Sequence, residues 1–247
     1  MNLAEFFQEC PKVALGFSGG VDSAYLLYAA VESKAQVRPY FVKTQFQPQF
    51  ELEDAKRLAA QLGVELTVIE LDVLQVPHVA ENGPDRCYFC KRALFGRLRE
   101  QALKDGFTVL IDGTNASDDA GDRPGMRALG ELAVRSPLRE CGVTKAEVRR
   151  LSKEAGLFTW DKPAYACLAT RVPTGQAIQE GVLQQVEGAE NALFRLGFSD
   201  LRVRVYQGAA RLQLPGEQLS KAVELRETVR EALAPWFDTV LLDLRQR

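Results

Sequence analysis

Several things are scarce in this sequence, and each scarcity removes a class of explanation. It holds one histidine, His78, so a closed four-ligand zinc site can draw at most one ligand from imidazole. Neither charge is in marked excess. The 31 Lys and Arg stand against 33 Asp and Glu, for a net charge of −2. No global basic field is therefore present to attract nucleic acid or an anionic membrane. No apolar run approaches the length of a membrane span. The opening residues, MNLAEFFQECPKVAL, lack a basic segment followed by a long apolar run, so the expectation is no secretory signal and a cytoplasmic protein. There is no internal repeat and no low-complexity tract. The five cysteines are odd in number and irregularly spaced, which argues against a disulfide framework and for thiols with metal or catalytic work. What remains is an ordinary globular composition, 46% hydrophobic and 26% charged over 247 residues, enough for one large core or two modest ones.

The chain is organised around Gly16-Phe17-Ser18-Gly19-Gly20-Val21-Asp22-Ser23. An apolar run, Val13 to Phe17, precedes it, and an apolar-periodic segment, Ala24 to Val31, follows. That is a strand, a tight glycine turn and a helix start. The glycines let backbone N–H groups approach a ligand, Ser18 and Ser23 add hydroxyls, and the helix N-terminus adds the positive end of its dipole. Together they form an anion cradle suited to phosphate. The lysine of a Walker A loop is missing, so the remaining positive charge must come from Mg2+ through Asp22, or from remote Lys and Arg.

The rest of the first part alternates. Strands are expected at Val37 to Lys43, Val64 to Leu71 and Thr108 to Asp112, with helices at Phe50 to Leu62 and Cys87 to Leu103. This pattern implies an α/β fold with a parallel sheet covered by helices on both faces. Ligands in such sheets sit beyond the carboxyl ends of the strands, where both the glycine turn and Asp112-Gly113-Thr114-Asn115 lie. Thr144 and Glu147 form a capping box for a helix to Ala155. Residues 157–174 read as irregular, and a domain boundary is placed after residue 175. Beyond it, a helix (Ile178 to Leu196), a hairpin (Leu201 to Tyr206, Arg211 to Leu214), a helix (Glu217 to Leu233) and a last strand (Thr239 to Leu244) suggest a small α+β domain over 176–247.

Cys87-Tyr88-Phe89-Cys90 is a CxxC at a helix start, where the two sulfurs can share a metal and the helix dipole lowers the thiol pKa. Cys167 is a third candidate, with Arg171 nearby to favour a thiolate. Three converging thiolates would bind three irons of a 4Fe–4S cluster and leave the fourth open. A CxxC is equally consistent with zinc, for which His78 could be a ligand, or with two buried thiols. Cys10 and Cys141 show no partner pattern and read as structural.

Two resemblances follow from these residues. Ser18-Gly19-Gly20-Val21-Asp22-Ser23 resembles the PP-loop of ATP pyrophosphatases, which cleave ATP between the α and β phosphates and adenylate an oxygen. The wider order is Asn82 to Lys91, Asp112 to Asp118, Asp122-Arg123-Pro124-Gly125, Ser136-Pro137-Leu138, Lys162-Pro163, Ala166 to Arg171 and Leu201 to Val205. It resembles the LarE family, ATP-dependent sulfur transferases that build the nickel-pincer cofactor of lactate racemase. The resemblance implies that a carboxylate of a pyridinium biscarboxylic acid mononucleotide is adenylated and then converted to a thiocarboxylate. In one branch the residue matching Cys167 gives up its own sulfur and becomes dehydroalanine. Cys87 and Cys90 instead match the branch in which three cysteines hold a 4Fe–4S cluster carrying an extra sulfide.

On that resemblance Ser18, Gly19, Gly20, Asp22 and Ser23 are expected to hold ATP and Mg2+, with Lys43, Asp112, Gly113, Thr114 and Asn115 completing the adenylation pocket. Cys87, Cys90 and Cys167 are the cluster ligands, and Cys167, Asp22 and Arg171 are the catalytic candidates. Arg123, Arg171, Arg202 and Arg204 are candidate partners of phosphate or carboxylate. Arg123 reads equally well as solvated surface, and a solvated sheet face is the lesser alternative for Arg202 and Arg204. Glu190 and Glu217 are weaker candidates for metal or substrate at a subunit interface, the resemblance implying a homo-oligomer such as a hexamer. A sulfide source is also required. The rival readings are a tRNA thiolase, disfavoured by the acidic balance, an ammonia-dependent synthetase with structural zinc, and a non-catalytic nucleotide-binding module.

Overall fold

The computed structural model describes residues 1–118 and 124–245. It opens with a helix that the sequence reading passed over, α1 (Leu3–Glu9). Asn2 starts it, accepting from the Glu5 N–H while the Glu5 carboxylate accepts from the Asn2 N–H. Then β1 (Lys12–Gly16), α2 (Val21–Glu32), β2 (Gln36–Lys43), α3 (Gln49–Gln61), β3 (Thr67–Glu70), α4 (Arg86–Lys104) and β4 (Val109–Ile111) alternate as expected. The strands form one parallel sheet in the order β3-β2-β1-β4.

Along β1, Val13 and Leu15 face a core shared with Phe6, Leu26 and Leu27, while Ala14 faces the opposite core with Tyr40, Leu98 and Ala102. Leu15, Leu26, Leu27 and Phe6 are each 0% exposed. Burying one such side chain contributes roughly 1.5–3 kcal/mol. That exceeds the roughly 0.7 kcal/mol span of ordinary helix propensities, so packing fixes α2 against β1. From β1 the chain runs outward to β2 and β3, then crosses back to place β4 on the other side. The strand order reverses at β1, and a crevice opens between the carboxyl ends of β1 and β4.

Three helices follow, α5 (Pro124–Glu131), α6 (Pro137–Glu140) and α7 (Lys145–Glu154), the last begun by the Thr144–Glu147 capping box. The stretch 157–174 is irregular apart from a 3-10 turn at Leu168–Arg171. The C-terminal part is α8 (Glu180–Arg195), β5 (Arg202–Tyr206), β6 (Ala209–Gln213), α9 (Gly216–Glu224), α10 (Arg226–Leu233) and β7 (Val240–Leu242). β5 and β6 are antiparallel, and β7 adds parallel to β6. Two details differ from expectation. The hairpin turn is Gln207-Gly208 alone, with φ of 50° and 81°, so Ala209 and Ala210 are already strand. The single helix expected over 217–233 is broken at Leu225, where ψ is 19°.

The two parts share a core. Phe46 and Val73 from the first part and Leu168 and Val172 from the connecting stretch pack with Val186 and Leu193 of α8 and Val203 of β5. The connecting stretch, which carries Cys167, is thereby held against both parts. Among the described residues no helix is long and apolar enough to cross a membrane.

Candidate active site

The turn after β1 is shaped by its own hydroxyls. The Ser23 Oγ accepts from the Ser18 N–H at 3.3 Å and donates to the Gly20 carbonyl at 3.2 Å. The two serine oxygens are 3.1 Å apart. Gly19 has φ of +70°, and a Cβ there would stand 2.9 Å from the Glu51 carbonyl of α3. Only glycine meets both conditions. Gly20 caps α2 with no side-chain hydrogen bond, leaving first-turn N–H groups for an anion. The strand-four loop closes on the turn, since a Cβ on Gly113 would lie 2.8 Å from the Ser23 nitrogen.

Asp112, 7% exposed, accepts from the Ser136 hydroxyl at 2.6 Å and from the Thr114 N–H at 3.3 Å. The buried Asn115 donates to the Asp22 carboxylate at 3.2 Å. The other Asp22 oxygen accepts from the Lys145 ammonium at the start of α7. Both Asp22 oxygens thus have partners inside the protein, one of them a cation. Lys145 was missed by sequence reasoning. The capping box located the start of α7, but nothing local linked that start to Asp22, 123 positions away. Lys162, of the Lys162-Pro163 motif, is a second cation at the turn. It donates to the Gly19 carbonyl at 3.3 Å and to Asp54 of α3 at 2.6 Å.

A cleft of about 410 Å3 runs from this turn to the cysteines. Ser18, Asp22, Ser23, Asp112, Gly113 and Thr114 line it at the turn, and Cys87, Cys90 and Cys167 line its cysteine side, together with Arg86 and Lys91. Cys87 is exposed, whereas Cys90 and Cys167 are partly buried. Arg86 organises this side, donating to Asn82 at 2.7 Å, the Ala169 carbonyl at 3.0 Å and the Cys87 sulfur at 3.5 Å.

Cys90 and Cys167 are shifted in the direction opposite to the lowering expected from the sequence. Burial, then the neighbouring Cys167 and Cys87, push the Cys90 thiol up to about 12. Burial also raises Cys167, outweighing Arg86 and Arg171. Desolvation thus exceeds the effect of the nearby cationic side chains. The donor chemistry fits an iron–sulfur cluster, three soft thiols lining one cleft and close enough for Cys90 to feel the other two. Among the described residues, however, no group of three His, Cys, Asp or Glu side chains is arranged to hold a metal ion.

Other expected site residues lie elsewhere. Arg171 is 1% exposed, and its guanidinium is occupied by Glu190 at 2.8 and 3.1 Å and by the Ala166 carbonyl at 2.8 Å. It stands behind Cys167 and does not line the cleft. Glu190 is also buried, accepting from Arg171, from the Tyr165 hydroxyl and from the Val203 N–H at 2.8 Å. It is an internal brace, not a surface ligand. Lys43 donates to the Gln47 carbonyl at 2.6 Å and lines a separate cavity beside Glu70 and Asp72. Arg202 and Arg204 share one side of β5, but neither is solvated surface. Arg202 is 6% exposed and donates to the Leu201 and Ala164 carbonyls at 2.8 and 2.6 Å, and burial lowers its pKa to about 10. It lines a further cavity of about 460 Å3 with Phe50, Lys162, Tyr165 and Phe194. Arg204 donates to Gln213 at 2.6 Å and to the Thr170 carbonyl. Glu217 is exposed on α9, and Arg123 lies outside the described residues.

A phosphate-cradling turn at the switch point of a parallel sheet, with an acidic residue in its helix start, defines an ATP-utilising enzyme of the PP-loop class. A family model described as queuosine biosynthesis protein QueC matches residues 12–80. The uncharacterized protein slr1717 of Synechocystis is 39% identical over 98% of this chain and 92% of its own. A pyridinium-3,5-bisthiocarboxylic acid mononucleotide synthase of Lactiplantibacillus plantarum is 31% identical over 98% of this chain and 89% of its own. The tRNA-specific 2-thiouridylase MnmA of Thermotoga petrophila is more distant, 27% identical over 61% of this chain and 54% of its own. The chain belongs to the family of the pyridinium mononucleotide synthase, the LarE sulfur transferases.

Proposed function

We propose that this protein adenylates a carboxylate of pyridinium-3,5-biscarboxylic acid mononucleotide, releasing pyrophosphate, and converts it to a thiocarboxylate at Cys87, Cys90 and Cys167. The observation that carries this reading is that the phosphate-binding turn and the three thiols line one and the same cleft. The turn's N–H groups and Ser18 hold the phosphates, and Asp22 holds Mg2+. A substrate carboxylate oxygen attacks the α-phosphorus, and pyrophosphate leaves. Lys145, beside Asp22, offsets the charge that develops on the departing phosphates. A sulfur nucleophile then attacks the acyl carbon, and AMP leaves with the electron pair of the broken C–O bond.

Cys87, Cys90 and Cys167 would hold a 4Fe–4S cluster, which when bound supplies the sulfur from its open iron. Arg86 braces the helix start against the Cys167 segment, and Arg171 with Glu190 keeps that segment in place. Arg202, which lines the neighbouring cavity and donates to the Leu201 and Ala164 carbonyls, is the best candidate for the substrate's anionic groups.

The test is iron and acid-labile sulfide in anaerobically purified protein, repeated for Cys87→Ala, Cys90→Ala and Cys167→Ala. Iron and sulfide lost in all three variants support the reading. Zinc in place of iron overturns the cluster. A dehydroalanine at position 167 after turnover assigns the sulfur to Cys167 itself.

A further inference from the structure

Lys162 does not line the cleft, yet it grips the phosphate-binding turn from behind. Its side chain is 16% exposed and is bonded to Asp54 at 2.6 Å and to the Gly19 carbonyl at 3.3 Å. The ammonium also lies 5.2 Å from the centre of the Phe50 ring.

The Gly19 carbonyl and the Gly20 N–H belong to one planar trans peptide, so they point in opposite directions. A cation holding the oxygen on one side therefore aims the N–H to the other. That N–H meets the Ser18 oxygen at 3.4 Å, and Ser18 lines the cleft. The same bond polarises the peptide and makes the N–H a stronger donor. The backbone of α3 also stands close against the turn, through the Glu51 carbonyl. Lys162 also lies in the stretch that carries Cys167, whose neighbour Leu168 is tied through its N–H to the Phe46 carbonyl at 2.9 Å.

We propose that Lys162 is a positioning residue: it orients the Gly19–Gly20 peptide for the nucleotide's phosphates and anchors the Cys167 segment to the same turn. It supplies, from outside the turn, part of the positive potential that the turn lacks in its own sequence. The assignment rests on the nucleotide reading above.

The test uses the full chain with Mg2+ and α,β-methylene-ATP, which binds without being split. For Lys162→Met the dissociation constant rises about tenfold, the scale of one charge-assisted hydrogen bond. Alkylation of Cys167 in the absence of nucleotide becomes faster. Lys162→Arg restores most of the affinity. Lys162→Gln, which keeps a donor but no charge, falls between wild type and Met, and it decides the matter if the Met variant does not fold. Unchanged affinity in the folded Met or Gln variant, with only the melting temperature lowered, overturns the assignment. Failure of the wild-type chain to bind the analogue overturns the nucleotide reading and the assignment with it.

Discussion

Lys145 and Asp22 are 123 positions apart and meet as an ion pair at the phosphate-binding turn. Their side chains are 33% and 23% exposed, so the pair contributes little to stability, roughly 0.2–1 kcal/mol. Its place beside the turn gives it a functional consequence instead. Lys145→Met is expected to keep the urea midpoint close to wild type while raising the KM for ATP about tenfold. Pyrophosphate release measured against ATP concentration checks this, and a large loss of stability with unchanged KM would contradict it.

Gly113 sits where a Cβ would come within 2.8 Å of the Ser23 backbone nitrogen. No flexible side chain is available to yield there. Gly113→Ala is expected to cost about 1–3 kcal/mol in stability and to push the two loops apart, weakening nucleotide binding. Thermal unfolding with and without ATP and Mg2+ reads both effects. A variant as stable and as responsive to ATP as wild type would show that the loops are not in contact.

The Arg171–Glu190 pair is closed to solvent, at 0% and 1% side-chain exposure. Removing one charge of such a pair leaves the other uncompensated, at a cost of about 3–5 kcal/mol. Glu190→Gln keeps the shape and removes the charge, so it is expected to destabilise on that scale in urea titration. A loss below about 1 kcal/mol would mean that Glu190 faces solvent or a ligand.

The raised Cys90 thiol has a pH signature in the iron-free protein. Its pKa moves upward from 9.0 to about 12, so folding favours the protonated form. The associated stability is fully present below pH 9.0 and is lost as pH rises through about 12. Melting temperature followed across that window should fall more steeply for wild type than for Cys90→Ser. Identical slopes would place Cys90 in water.

How much of this was legible in the sequence depends on the range of each interaction. The turn Ser18 to Ser23 and the pair Cys87–Cys90 are local patterns, and the structure places them at a strand end and a helix start as read. The parallel sheet followed from the alternation of strand and helix segments along the chain, the order that a parallel sheet covered by helices on both faces requires. Lys145 and Lys162 were not assigned roles, since their partners Asp22 and Asp54 lie 123 and 108 positions away. Arg171 was read as facing the ligand because it is close to Cys167. Its real partner, Glu190, is 19 positions further on and buried, and burial of a charge leaves no signature in spacing. The break at Leu225 was likewise hidden, because both halves of that helix keep an apolar face.

The most direct measurement combines reconstituted protein, ATP, Mg2+ and pyridinium-3,5-biscarboxylic acid mononucleotide, followed by mass spectrometry of both small molecule and protein. The account predicts a thiocarboxylate formed with matching amounts of AMP and pyrophosphate, and Cys167 intact. Pyrophosphate released only in the presence of tRNA, with the pyridinium compound unchanged, would contradict it.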